Sequence, residues 1–154
     1  MEKSIVCGVD GSPDSAAAVT VAARLAERLG SRLILANVVE YVHSPYATVG
    51  AIGSGGVARA PVADVLEQQV RTGQRLLEEM AAQAHVETAD RRVVPGFAAE
   101  RLADLADEED AELIVVGSRG RGAFRAAFLG SVSTSLVGVA RCPVLVVPPG
   151  ARES

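Results

Sequence analysis

Ile5-Val6-Cys7-Gly8-Val9-Asp10-Gly11-Ser12-Pro13 reads as a short strand, a tight turn and the start of a helix. The β-branched residues favour an extended chain, and Asp10-Gly11 breaks it. Ser12 is a helix cap whose hydroxyl can accept from an amide of the first turn, and Pro13 suits the first helical position. Ala18, Val21, Ala22, Leu25 and Leu29 then recur at helical spacing, and Gly30 can close the helix. The segment is therefore one β-α unit.

Working outward, four more β-branched runs follow at 32–39, 86–94, 113–116 and 144–147. Several are apolar at consecutive positions, which suits strands covered on both faces. Between them lie helical patterns. One carries Val62, Leu66, Val70, Leu77, Met80 and Ala84 along a face. Another carries Ala98, Leu102, Leu105 and Ala106. The last runs over 131–140, with Val132, Leu136 and Val139 inward. The order predicts an α/β fold of the Rossmann-like, doubly wound kind, with helices on both faces of a five-stranded parallel sheet. If the chain winds outward and then recrosses, the strand order is 3-2-1-4-5. A ligand crevice then opens between strands one and four, bringing Asp10 and Ser12 beside residues 117–130.

The chain has 154 residues and a formal charge of −4, a length that suits a single domain over 1–154. At 49% hydrophobic and 22% charged residues it can bury a core, which excludes wholesale disorder. Aromatics are only 3% with no Trp, so the core is aliphatic, and an acidic chain poor in stacking groups argues against nucleic acid as a partner. No apolar run reaches the roughly 18–20 residues of a membrane helix, and the first run is too short for a signal peptide. Cys7 and Cys142 lack metal-ligand spacing and read as small buried hydrophobes. The expectation is a soluble, cytoplasmic protein with no membrane association. Residues 43–61, rich in Gly and bounded by prolines, read as a mobile surface loop, either a connector or a lid. The tail over 150–154 reads as frayed.

Chemistry concentrates after the fourth strand: Gly117-Ser118-Arg119-Gly120-Arg121-Gly122, and further on Gly130-Ser131-Val132-Ser133. Gly117 and Gly120 would let backbone amides approach an anion without interference from Cβ. Gly130 leads into a helix whose first N–H groups lack intrahelical partners, so a phosphate there gains donors and the positive end of the helix dipole. The Ser131 and Ser133 hydroxyls add donors, and two separated amide clusters suit a polyphosphate. An ordinary glycine turn is the plainer alternative. The P-loop pattern GxxxxGK[ST] is absent, and GxGxxG fails because Arg125 stands where its last glycine would be. Asp10 is either an acceptor for a nucleoside hydroxyl or amino group or a turn residue bonding the backbone near Ser12. Arg119 and Arg121 are either phosphate clamps or solvated. His43 and His85 have no catalytic spacing, and no GxSxG elbow is present. Asp107-Glu108-Glu109-Asp110 falls at a helix end, where acids oppose the dipole, and reads as a solvent-facing run with a local cost.

Gly117-x2-Gly120-x9-Gly130-Ser131 resembles the nucleotide loop of the universal stress proteins. Val9-Asp10-Gly11-Ser12 resembles their first-strand motif, residues 113–120 the approach to the phosphate loop, and residues 142–148 the final strand. The resemblance implies a domain that binds ATP, or another adenine nucleotide, and forms homodimers. It puts Asp10 beside the adenosine and the Val38 backbone at the adenine. Gly117 and Gly120 would line the ribose and phosphates, and Gly130, Ser131, Val132 and Ser133 would hold the phosphate chain. Mg2+ or Mn2+ could ride in with the phosphates, and no residues are assigned to a metal or to catalysis. Asn37 departs from a frequent His and Glu112 from a frequent Asp, both away from the phosphate loop. The last strand, 144–147, is either covered by a helix or paired with its copy in a second subunit, within limits set by Pro143 and Pro148. The expected function is a nucleotide-binding stress-response signalling module with an unnamed protein partner and little or no hydrolysis. The alternatives are a slow ATPase or an enzyme autophosphorylating Ser131 or Ser133, and a nucleotide-free protein-interaction module.

Overall fold

The structure is a computed structural model and describes residues 2–40, 62–120 and 129–150. The expected loop over 43–61, Arg121 and the end of the tail lie outside the described residues. The elements are β1 (Ser4–Gly8), α1 (Pro13–Leu29), β2 (Arg32–Val39), α2 (Val62–Gln83), β3 (Asp90–Pro95), α3 (Ala98–Glu108), β4 (Ala111–Gly117), α4 (Ser131–Val139) and β5 (Val144–Val147). The five strands form one sheet in the order β3-β2-β1-β4-β5, and every pair is parallel. The predicted topology is the one observed.

Side chains leave a strand alternately to its two faces, and here both faces are dry. Ile5 and Cys7 of β1, Leu33 and Leu35 of β2 and Val115 of β4 pack with α1 and α2. Val6, Ile34, Ala36, Ile114 and Val116 pack on the other side with α3 and α4. This explains the unbroken apolar runs. α1 is built as its sequence suggests: Ser12 caps it by accepting from the Ser15 amide, Pro13 opens it, and Gly30 ends it at φ 66°.

Three expectations are corrected. β3 begins at Asp90, not near Val86, because α2 ends in a left-handed turn at His85 (φ 56°) and the Val86 amide bonds back to Ala81. Val139, expected inward on α4, is 45% exposed, because the helix ends there and Leu136 is its buried contact. The acidic run is not merely solvated. Glu109 takes Arg32 of β2 and Arg92 of β3, the latter at 3.2 Å, and Asp107 takes Arg141 at 3.2 Å. Ser4 Oγ donates to the Glu109 carbonyl at 2.9 Å. These arginines offset the unfavourable dipole contact and tie the end of α3 to the sheet. Glu112 accepts from the Ser31 hydroxyl, joining β4 to the turn before β2.

Cys7 has no exposed surface, and burial pushes its thiol from an ordinary value of 9.0 up to about 12. The unfolded chain therefore releases this proton first as pH rises. The stability linked to Cys7 is complete below pH 9.0 and is lost toward about pH 12. Each pH unit in that window costs about 1.4 kcal/mol. Denaturant midpoints of the native protein should fall more steeply than those of Cys7→Ala between pH 9 and 11, and parallel slopes would contradict this.

Candidate functional site

The strand order reverses between β1 and β4, so the chain leaves their carboxyl ends in opposite directions and a crevice remains. A cavity of about 930 Å3 occupies it. All eight residues singled out in the sequence line this cavity: Asp10, Val38, Gly117, Gly120, Gly130, Ser131, Val132 and Ser133. They come from the ends of three strands and the start of one helix.

Asp10 follows β1 in a turn that Gly11 makes possible at φ +83°. Its Oδ1 accepts the Ser12 amide at 2.9 Å, the local bond weighed in the sequence. Its Oδ2 lies 2.6 Å from where a Cβ on Gly120 would stand. At Gly117 the same space is filled by the Asp14 backbone, whose carbonyl carbon would be 2.7 Å away. Gly117 is thus required by main-chain packing, whereas at Gly120 the neighbour is the movable Asp10 carboxylate. Room for a ligand was the expected reason for both, and at Gly117 the structure supplies a nearer one.

Gly130 caps α4 without a side-chain bond, and the first amide to bond back to it is that of Thr134, at 3.1 Å. The Ser131, Val132 and Ser133 amides precede that first turn and have no carbonyl four residues back within the helix. The Ser133 hydroxyl, expected as a ligand donor, faces the Gly130 carbonyl at 3.0 Å and the Ser118 carbonyl at 3.3 Å. It holds the loop, which leaves the backbone N–H as the donor this position offers. Ser131 is exposed at the rim.

Val38, Val65, Leu76 and Leu102 give the cavity apolar wall. Asn37 donates from Nδ2 to the Val9 carbonyl at 2.8 Å, linking the ends of β2 and β1. Gln68, Gln69, Thr72 and Gly73 of α2 also line it, and sequence reasoning missed them. A signal was present in Gly73, inside a helix where glycine costs about 1 kcal/mol relative to Ala. Its Cβ would stand 2.6 Å from Asn37 Oδ1 and 3.0 Å from a Val93 methyl, so only glycine lets α2 lie this close to the sheet. Asp14 was also missed. The Arg119 guanidinium pairs with it through Nε at 3.5 Å instead of standing unpartnered at the loop. Among the described residues no group of three or more His, Cys, Asp or Glu could hold a metal ion by itself.

The sequence model of the Universal stress protein family matches residues 1–148. The chain belongs to the universal stress protein family. A universal stress protein of Thermus aquaticus is 31% identical over 151 residues, covering 96% of this chain and 99% of that one. A universal stress protein solved in complex with cAMP is 27% identical with a TM-score of 0.69, covering 96% of this chain and 97% of that one. The universal stress protein UspA from Lactobacillus plantarum has the same fold, with a TM-score of 0.70 at 22% identity over 94% of this chain and 97% of that one. Asp10, Gly117, Gly120, Gly130 and the start of α4 therefore line one cavity in a universal stress protein.

Proposed function

We propose that this protein binds an adenine nucleotide, ATP foremost, and acts as a homodimeric stress-response signalling module with little or no hydrolysis. The observation that carries the proposal is the cavity at the sheet's switch point, lined by apolar side chains such as Val38 and by the donor-rich start of α4. A base packs against the first while phosphates meet the second. Its volume of about 930 Å3 falls within the range of about 300–1,000 Å3 usual for small-molecule sites. The relative bound to cAMP supports an adenine nucleotide as the ligand class. The Gly120, Val132 and Ser133 amides would receive the phosphates, and Asp10 would face the sugar. Mg2+ or Mn2+ would enter on the phosphates, holding few protein ligands.

Dimerisation is supported by β5, which lies at the edge of the sheet. Val144, Leu145 and Val146 are only half-buried there, and Val137 of the preceding helix is 67% exposed. An apolar edge of this kind is an association surface, and a second copy would close it.

Thermal unfolding with ATP, AMP, cAMP and adenosine tests the proposal. A nucleotide at 100 times its dissociation constant stabilises by about 2.7 kcal/mol, which at this chain length raises the midpoint by about 5–11 °C. ATP should produce that rise and remain unconsumed over hours. No shift with any adenine nucleotide contradicts the binding proposal, and steady release of phosphate by pure protein contradicts the non-enzymatic one.

A further inference from the structure

Asp14 belongs to the first turn of α1, and its side chain is only 10% exposed. It is not part of the cavity wall. A carboxylate this buried is costly unless donors meet it, and here they do. Oδ2 accepts from Ser118 Oγ at 2.8 Å and from the Arg119 amide at 3.1 Å, with Arg119 Nε at 3.5 Å. The N-terminal end of α1 favours the negative charge further.

The segment it grips is the joint of the site. The Ser118 carbonyl accepts the Gly130 amide at 2.7 Å and faces the Ser133 hydroxyl at 3.3 Å, so it fixes where α4 begins. Ser12 Oγ reaches the Arg119 carbonyl at 3.4 Å, tying the same segment to the cap of α1. Gly130 lies so close that a Cβ there would be 3.3–3.5 Å from Ser118 O, Arg119 Cα and Gly120 N. One buried carboxylate thus holds the hinge on which the Gly120 amide and the start of α4 are set relative to each other.

We infer that Asp14 is the positioning residue of the anion site: acting through Ser118 and Arg119, it sets the spacing of the amides that receive the phosphates. This rests on the nucleotide reading proposed above. The distinguishing consequence is that its removal weakens ligands in proportion to their phosphates and spares the nucleoside.

Calorimetric titration with ATP and with adenosine tests this in the native protein, Asp14→Ala and Asp14→Asn. Asp14→Ala should weaken ATP roughly 10-fold or more, with adenosine held within about twofold. Asp14→Asn, which keeps an oxygen acceptor for Ser118 and the Arg119 amide, should recover most of the ATP affinity. If Asp14→Ala does not fold, Asp14→Ser replaces it, since its hydroxyl is one bond shorter than the carboxylate oxygens. Unchanged ATP affinity in a folded variant, or equal losses for ATP and adenosine, overturns the positioning role while leaving nucleotide binding intact. A native protein that binds neither ligand overturns nucleotide binding and this role together.

Discussion

Gly117→Ala should lower the midpoint of thermal unfolding by about 4–12 °C, the consequence of about 2–3 kcal/mol of overpacking in a chain of this length. The new Cβ would stand 2.7 Å from the Asp14 carbonyl carbon and 2.8 Å from its oxygen, distances that real Cβ atoms do not tolerate. Neither side can yield easily. Gly117 ends a strand paired with β1 and β5, and the first turn of α1 is fixed by the Ser12 cap and the Ser15 hydroxyl bond to Ser12. The obstacle is main chain, so no rotamer change relieves it. Calorimetry of the purified variant measures the shift, and a midpoint equal to that of the native protein contradicts the packing described.

Gly120→Ala should do the reverse, preserving stability and losing affinity. Here the atom in the way is Asp10 Oδ2, at 2.6 Å, with the carboxyl carbon already at 3.8 Å. A carboxylate can rotate, and losing its bond from the Ser12 amide costs about 1 kcal/mol. The rotated carboxylate no longer stands where the cavity needs it, and the added methyl crowds the loop. Nucleotide affinity should fall roughly 10-fold or more while the unfolding midpoint moves by less than about 4 °C. Titration and calorimetry on one preparation test both halves. A variant that binds as well as the native protein removes Asp10 and Gly120 from the site.

The contrast between these neighbouring glycines marks how far the sequence could be read. Features set by a few adjacent residues were legible: the Ser12-Pro13 start and Gly30 end of α1, and β5 as an apolar run between two prolines. Topology followed from the order of such elements and from handedness. Hidden features depend on partners far along the chain. Asp14 looks locally like an acid placed well for the helix dipole, but the Ser118 hydroxyl it holds is 104 residues away. Glu109 looks like a cost until Arg32, 77 residues earlier, is folded against it. The start of β3 was missed for a different reason: His85 takes a left-handed conformation that no glycine announces.

In the site, residue types carried the loop because glycine spacing and a helix start have direct meaning for an anion. They carried little about the opposite wall, where Gln68, Gln69 and Thr72 read as an ordinary polar helix face. Only docking α2 onto the sheet through Gly73 turns that face toward the cavity.

The most direct test of the central claim is a crystal structure of the protein grown with ATP. The expected result places phosphate oxygens about 2.7–3.2 Å from the Val132, Ser133 and Gly120 amides, with adenine against Val38. ATP bound elsewhere, or a crevice filled by the protein's own side chains at saturating ATP, would contradict it.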